Sequence, residues 1–207
     1  MTTQATNLKP GIVLTLVTAI AVISASCIIG RNDFFLLLNG NLGNGANVFF
    51  KYWTNLGDGV MWILVAVIFF LYRRKYFPLL IAAVLISTLL TQVTKNYIVA
   101  AEPRPTAAIA DLSQIHTVYG VELHTAYSFP SGHTATAFTI FLLVCFFTRS
   151  RSALLFGFIC AALVGYSRVY LAQHFPLDVG GGMIVAVITI WLSIMIQNRF
   201  DKKELSV

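Results

Sequence analysis

The chain has 207 residues, of which 57% are apolar and 11% are charged, and its formal net charge is +6. An ordinary soluble domain carries about a quarter charged residues. This composition therefore excludes a typical water-soluble fold and indicates lipid as the surrounding solvent. A positive charge balance can also indicate nucleic-acid binding, but here the basic residues sort to one side of the apolar segments. We therefore expect no nucleic-acid partner.

Long apolar runs divide the chain from its beginning to its end. A helix needs roughly twenty apolar residues to cross a bilayer core, and Gly11–Gly30 has this length without a charge. This run and the later ones predict an all-α integral membrane protein with one domain, residues 1–207, and a main outer loop at about 96–129. The six transmembrane helices are predicted at about 11–30, 54–72, 76–95, 131–148, 152–168 and 177–198.

The basic residues orient this predicted bundle. Most of them fall on one side of the six helices, and positive residues collect on the cytoplasmic face of membrane proteins. Both termini are therefore predicted to be cytoplasmic. The outer side holds all four histidines and most acidic residues, so we expect the functional site at the outer ends of the helices. The cysteines lie inside apolar runs and are expected to be packing residues rather than a disulfide or metal site.

The first polar motif, Ser128-Phe129-Pro130-Ser131-Gly132-His133, precedes the fourth predicted helix. Pro130 favours the opening turn of a helix, where free N–H groups and the helix dipole bind anions. Gly132 permits close approach of the backbone, Ser131 adds a hydroxyl donor, and His133 is a candidate general acid. A Ser-Gly pair at a helix start is a simple cap in most proteins, so this motif alone is a weak indication.

The second polar motif runs from residue 167 to residue 178. Arg168 offers a planar fork of donors that suits two phosphate oxygens. Asp178 can accept a hydrogen bond from one ring nitrogen of His174, which leaves the other nitrogen nucleophilic. Pro176 is expected to open the last helix. A structural ion-pair network of the same residues is the alternative interpretation.

Together the two motifs resemble the type 2 phosphatidic acid phosphatase superfamily, which includes bacterial membrane lipid phosphatases and vanadate-dependent haloperoxidases. Two family motifs are present in full: Pro-Ser-Gly-His at 130–133, and Ser-Arg, five residues, His, three residues, Asp at 167–178. Both patterns in the right order are a strong signal. The resemblance implies a lipid-phosphate phosphatase.

The remaining family motif is imperfect in this chain. It is normally Lys, six residues, then Arg-Pro, whereas here eight residues separate Lys95 from Arg104. Two added helical residues would turn a side chain by about 200°. We expect irregular chain around Ala100 and Ala101 to absorb them, so that Lys95 still reaches inward. The alternative is that Lys95 merely snorkels at the end of the third helix.

The resemblance also implies a role for each of these residues. His174 attacks phosphorus to give a phosphohistidine, Asp178 orients it, and His133 protonates the leaving group. The phosphate oxygens are held by cations and hydrogen-bond donors, namely Lys95, Arg104, Ser131, Gly132 and Arg168. No metal or other cofactor is expected, because three cations supply the charge that magnesium provides elsewhere.

The expected substrate is a phosphate or diphosphate of a membrane lipid. The expected location is the bacterial inner (cytoplasmic) membrane, with the site facing the periplasm or cell exterior. Undecaprenyl diphosphate is the first choice, and phosphatidic acid, phosphatidylglycerol phosphate and lipid A phosphates are the others. A lipid phosphotransferase with the same site is an alternative, and so is a membrane transporter with a His/Asp proton relay. Nothing in the sequence indicates the oligomeric state.

Overall fold

A computed structural model describes residues 7–204 of the chain, and the predicted positions of the termini, residues 1–6 and 205–207, lie outside this part. Residues 7–204 contain no β-strand, which confirms the predicted all-α class for them. The helices are α1 (Leu8–Ile29), α2 (Arg31–Leu38), α3 (Asn44–Trp53), α4 (Met61–Tyr72), α5 (Phe77–Val93), α6 (Pro105–Ala108), α7 (Gly132–Phe147), α8 (Arg151–Tyr170) and α9 (Pro176–Glu204).

Several of these helices are long and apolar enough to cross a membrane. Four segments meet this condition: Leu8–Ile29, Arg74–Ile98, Arg151–Tyr170 and Pro176–Lys202. A fifth is added if Asn44–Gly57 and Met61–Tyr72, which meet at a bend of 52°, form one span. Helix α7 is apolar but has 16 residues, fewer than the roughly twenty of a full crossing. Length and composition thus support four or five spans.

The prediction of one continuous helix over residues 54–72 is wrong. The structure has a 3₁₀ turn at Thr54–Gly57, and α4 begins only at Met61. Gly57 and Gly59 surround Asp58, and glycine disfavours a helix interior by about 1 kcal/mol relative to alanine. Asp58 is extended and its side chain accepts a hydrogen bond from the N–H of Val60, so the side chain competes with the helix for that donor.

Helix α9 lies against α1, α5 and α7, and glycines allow this close packing. A Cβ atom on Gly180 would lie 2.6 Å from Ile23, and one on Gly182 would lie 2.6 Å from the carbonyl oxygen of Ser131. Close contact at small residues is a main source of attraction between helices in lipid. The packing holds the first turn of α9, which contains Asp178, against the first turn of α7.

Apolar side chains cover the outward faces of the bundle. Val17 on α1, Ile63 on α4 and Phe156 on α8 are 60%, 65% and 70% exposed. Apolar surface this extensive would be unfavourable in water, but it matches a hydrocarbon solvent. The chain is therefore a multi-pass membrane protein.

Candidate active site

The two complete motifs meet at one end of the bundle. We call this the motif end; it comprises the starts of α7 and α9 and the end of α8. The backbone N–H of Ser131 donates to the carbonyl oxygen of Asp178 at 2.9 Å. The hydroxyl of Ser128 donates to the Asp178 carboxylate. The opposite end, with the starts of α1, α5 and α8 and the ends of α4, α7 and α9, is called the terminal end.

His174 and Asp178 form a buried pair. His174 Nδ1 lies 3.3 Å from Asp178 Oδ2, and the two side chains are 2% and 1% exposed. Helix α9 begins at Pro176, as predicted, so Asp178 lies in its first turn. The same carboxylate oxygen accepts a hydrogen bond from the N–H of Phe175. Several donors stabilise the carboxylate charge, and with Nδ1 engaged, Nε2 is the ring nitrogen available for attack.

A tight turn after α8 fixes His174 relative to Arg168. The N–H groups of Gln173 and His174 both donate to the carbonyl oxygen of Arg168, at 2.8 and 3.0 Å. Ala172 adopts a left-handed conformation with φ of 54°, which costs an L-residue about 1–2 kcal/mol. The turn holds both side chains of the motif in a set geometry despite this cost.

Two arginines are buried beside this pair. Arg168 is 7% exposed, and its Nη1 donates to Thr54 Oγ1 at 2.6 Å, while its Nε has no partner among the described residues. Arg104 is 8% exposed and donates from Nε to the carbonyl oxygen of Ala126 at 2.9 Å and from Nη1 to that of Gln173 at 3.0 Å. A buried donor without an acceptor is costly. A phosphate oxygen is the kind of acceptor that such a donor needs.

Lys95 lies within the same electrostatic environment. Arg104, Arg168 and Asp178 all interact with its ammonium group. Helix α5 ends at Val93 and continues as a π turn over Thr94–Ile98, so the predicted end of this helix at residue 95 falls inside the wider turn. Irregular chain follows, with Ala101 at a φ of 57°, as expected for the two added residues. That Lys95 binds phosphate stays a prediction.

His174 is neutral in this surrounding. Burial, followed by the charges of Arg104, Arg168 and Lys95, holds the pKa of His174 well below its usual value. A nucleophilic imidazole must carry a lone pair on the attacking nitrogen. Burial and the cations therefore favour the protonation state that nucleophilic attack requires.

The start of α7 forms a capped helix terminus. Ser131 is the cap residue, and its Oγ accepts hydrogen bonds from the N–H and the hydroxyl of Thr134, at 3.4 and 2.9 Å. The prediction that Pro130 occupies the opening turn is wrong, because the cap places Pro130 before the helix. The N–H groups of Gly132 and His133 donate to no other described residue. These amides remain available to an anion.

A polar cavity of about 200 Å³ adjoins His133 between α5 and α7. Helix hydroxyls elsewhere, such as those of Thr15 and Thr139, bond back to the carbonyl group four residues earlier. The hydroxyls that line this cavity form no such bond within the described chain. The lining residues are Gly57, Gly59, Ser87, Thr88, Thr91, Gln92, Gly132, His133 and Thr136.

Sequence reasoning missed the residues that support the motifs from other segments. Asn39 is 2% exposed and donates to the carbonyl oxygens of Val169 and Tyr170, at 2.9 and 3.0 Å. Its Oδ1 accepts the N–H of His116 at 2.7 Å. Asn39 thereby fastens both the segment that follows α2 and the segment around His116 to the end of α8. In the sequence, Asn39-Gly40 has the form of an ordinary turn.

The described residues contain no group of three or more His, Cys, Asp or Glu that could hold a metal ion. The site instead gathers three cationic side chains, two histidines and one buried carboxylate. Such a set can bind an anion, attack it with a neutral imidazole and exchange a proton with it. This is the chemistry of phosphoryl transfer, which depends mainly on positioning and charge stabilisation.

Comparison with known proteins agrees with this chemistry. The model of the PAP2 superfamily matches residues 76–202. An undecaprenyl-diphosphatase of Sulfolobus acidocaldarius is 31% identical over 183 residues, which are 86% of this chain and 84% of that protein. The crystal structure of Aquifex aeolicus LpxE has a TM-score of 0.68 and 30% identity, over 78% of this chain and 92% of that one. This chain therefore belongs to the PAP2 superfamily and is a lipid-phosphate phosphatase.

A second solved structure extends the fold over nearly the whole chain. It is the transmembrane PAP2 type phosphatidylglycerolphosphate phosphatase of Bacillus subtilis, with a TM-score of 0.60 and 24% identity, covering 95% of this chain and 96% of that one. At this identity, the likeness concerns the fold. It includes the first helices, which lie before the residues matched by the family model.

Proposed function

We propose that the protein removes a terminal phosphate from a membrane lipid through a phosphohistidine on His174, with undecaprenyl diphosphate as the first candidate substrate. The observation that carries this proposal is the buried, neutral His174, oriented by Asp178 and acted on by the charges of three cations, Lys95, Arg104 and Arg168. The name of the Sulfolobus relative, which matches most of the chain, supports the choice of substrate.

In the first step, the phosphate binds with its oxygens on Arg168, Arg104 and Lys95 and on the free amides at the start of α7. His174 Nε2 attacks phosphorus, and the P–N bond forms as the P–O bond to the leaving group breaks. His133 gives its proton to the leaving oxygen. Because the cations already lie in a buried site, little reorganisation is needed as negative charge shifts.

In the second step, water attacks the phosphohistidine. Neutral His133 accepts a proton from this water as the new P–O bond forms, and the P–N bond breaks to release phosphate and restore His174. Asp178 remains ionised throughout and holds the Nδ1–H of His174, much as the aspartate of a serine protease triad holds its histidine.

We assign the motif end to the outer leaflet of the bacterial cytoplasmic membrane. In this arrangement α7 and the bent pair α3–α4 both count as spans, giving six helices in one domain with both termini cytoplasmic. Exposed basic residues at the terminal end, Arg73, Arg74 and Lys75, support this orientation. The 16 residues of α7 extend about 24 Å, less than the hydrocarbon core of about 30 Å. If its last turn lies at the cytoplasmic boundary of this core, its first turn lies about 6 Å below the outer boundary, just inside the layer of lipid phosphates.

A phospholipid such as phosphatidylglycerol phosphate is a second candidate substrate, favoured by the polar cavity beside His133. The leaving oxygen must lie close to His133, so the part of the lipid next to that oxygen would enter the cavity. Hydroxyls of Ser87, Thr91 and Thr136 can bond the ester or hydroxyl oxygens of a glycerol unit. The cavity has no lysine or arginine in its lining, which suits an uncharged group.

Phosphate release by the purified protein in detergent tests this function. We expect release without added metal from undecaprenyl diphosphate, and lower kcat/KM for phosphatidylglycerol phosphate, phosphatidic acid and lipid A. Absence of release from all four lipids would reject the proposal. A labelled lipid acceptor that gains phosphate would identify a phosphotransferase instead. Turnover in micelles, which sustain no gradient, would argue against a transporter with a proton relay.

A further inference from the structure

Asp58 lies beside His133 although it belongs to none of the three motifs and precedes the residues matched by the family model. Its Oδ2 is 3.7 Å from His133 Nε2, and the side chains of His133 and Asp58 are 29% and 46% exposed. This separation is longer than a hydrogen bond but within the range of an ion pair. The proposed mechanism gives Asp58 no task.

The turn between α3 and α4 is built to bring Asp58 this close. A Cβ atom on Gly57 would lie 2.6 Å from the carbonyl oxygen of His133 and 2.6 Å from Val164. A larger residue at position 57 would therefore push the turn away from α7. Asp58 Oδ1 accepts the N–H of Val60 at 2.9 Å, which fixes the carboxylate and leaves Oδ2 directed to His133.

Positive charge otherwise dominates the surroundings of His133. Burial opposes a charge on its ring most strongly, and Arg168 from α8, Lys95 from the π turn and Arg104 from the main outer loop oppose it as well, whereas Asp58 favours it. His174 also interacts with it. A general acid must be protonated before it can donate, so the three phosphate-binding cations act against the task assigned to His133.

We propose that Asp58 is a positioning residue that favours the protonated form of His133 and directs its ring during the first step of the reaction. An imidazolium has an N–H on each nitrogen, so Nε2–H can face Asp58 while the other N–H faces the leaving oxygen. The proton on this second nitrogen moves to the leaving oxygen as the P–O bond breaks. Asp58 stays ionised and exchanges no proton.

The inference rests on the proposed function, and assays with two substrates distinguish a failure of the inference from a failure of that function. Phosphatidic acid releases an alkoxide that needs a proton, whereas p-nitrophenyl phosphate releases a phenolate that leaves without one. We expect Asp58→Asn to lower kcat for phosphatidic acid by about tenfold and kcat for p-nitrophenyl phosphate by less than about twofold. The alkaline limb of the kcat profile for phosphatidic acid should move to lower pH, because the imidazolium loses its negative neighbour.

Asparagine retains an oxygen that can accept the N–H of Val60, so Asp58→Asn removes the negative charge and keeps the hydrogen bond of the turn. Asp58→Glu keeps the negative charge and should therefore retain much more activity toward phosphatidic acid than Asp58→Asn. Asp33→Asn removes an exposed carboxylate of α2 and serves as the control for loss of charge. Equal loss on both substrates with an unmoved pH profile would assign Asp58 to the turn alone and overturn the inference. Unchanged kcat for both would also overturn it. If the wild-type protein releases phosphate from neither of these substrates nor from undecaprenyl diphosphate, phosphatidylglycerol phosphate or lipid A, the proposed function itself fails.

Discussion

The motif end and the terminal end both carry positive charge and both enclose a cavity, but they differ in the burial of their arginines. At the terminal end, Arg73 and Arg74 are exposed, and their guanidinium groups lie over the rings of Phe147 and Phe70, at 5.6 and 4.5 Å. A cavity of about 330 Å³ there is larger than the cavity of about 200 Å³ beside His133.

At the motif end Arg104 and Arg168 are buried, and the Nε donor of Arg168 lacks a partner within the described chain. Burying a charge without full compensation is expensive, so a fold retains such groups where chemistry needs them. Cavity size alone would favour the terminal end as the active site, whereas the burial of Arg104 and Arg168 favours the motif end. The comparison teaches that unpaired buried charge is the better guide to the site.

The strongest test of this comparison is to replace the proposed nucleophile, His174. We expect His174→Ala to reduce kcat for undecaprenyl diphosphate by at least about a thousandfold, because the proposed covalent intermediate forms on this side chain. Phosphate release from detergent-solubilised protein measures the effect. The matched change at the terminal end, Arg73→Ala, should leave kcat within about twofold. A His174→Ala protein that retains wild-type turnover would remove the motif end from consideration.

A smaller effect is expected from Lys95→Met, which tests the imperfect family motif formed by Lys95 and Arg104. The charge of Lys95 contributes to the lowered pKa of His174. Its removal should let that pKa rise towards the usual value of about 6.5, so His174 becomes protonated at a higher pH on acidification. We therefore expect the acid limb of the kcat/KM profile to move to higher pH, with greater loss at acid than at neutral pH.

Lys75→Met provides the control for this pH profile. Lys75 lies at the terminal end, where it pairs with Asp201 at 3.4 Å. Its removal should leave the acid limb in place. If Lys95→Met behaves in the same way as Lys75→Met, Lys95 only snorkels and has no part in the site.

The smallest effect on catalysis is expected from Gln197→Leu at the terminal end. Gln197 Oε1 accepts the N–H of Leu79 at 3.1 Å, and Nε2 donates to the carbonyl oxygen of Lys75 at 3.2 Å. Loss of a buried hydrogen-bond partner costs about 1–3 kcal/mol, so thermal unfolding in detergent should occur at a lower temperature. Turnover per folded molecule should be unchanged; a fall in kcat would show that the two ends are coupled.

Sequence features that act within a few residues account for the helices whose positions were predicted. Apolar runs predicted the positions of α1, α5, α7, α8 and α9, and Pro176 predicted the start of the last helix, because these features act within a few residues. The break before α4 was missed even though Gly57-Asp58-Gly59 is visible in the sequence. The strong apolar run that follows outweighed this local signal.

Contacts between distant segments could not be predicted from one sequence. Thr54 accepts a hydrogen bond from Arg168, which lies 114 residues later in the chain, and Asn39 donates one to Val169, which lies 130 residues later. Neither contact has a spacing rule or a distinctive residue type to indicate it. The motifs named the groups proposed to perform the chemistry, whereas the side chains that hold those groups became visible only in three dimensions.

The segment from Arg168 to His174 and the segment from Lys95 to Arg104 differ in how they would tolerate a change of length. Arg168 and His174 are joined by a turn in which consecutive amides share one carbonyl group and Ala172 is left-handed. An inserted or deleted residue there would move the imidazole away from Asp178. Between Lys95 and Arg104 the chain is a π turn followed by irregular backbone, which can lengthen without moving either end. Insertions and deletions should therefore accumulate between Lys95 and Arg104 in related proteins, while the interval from Arg168 to His174 keeps its length.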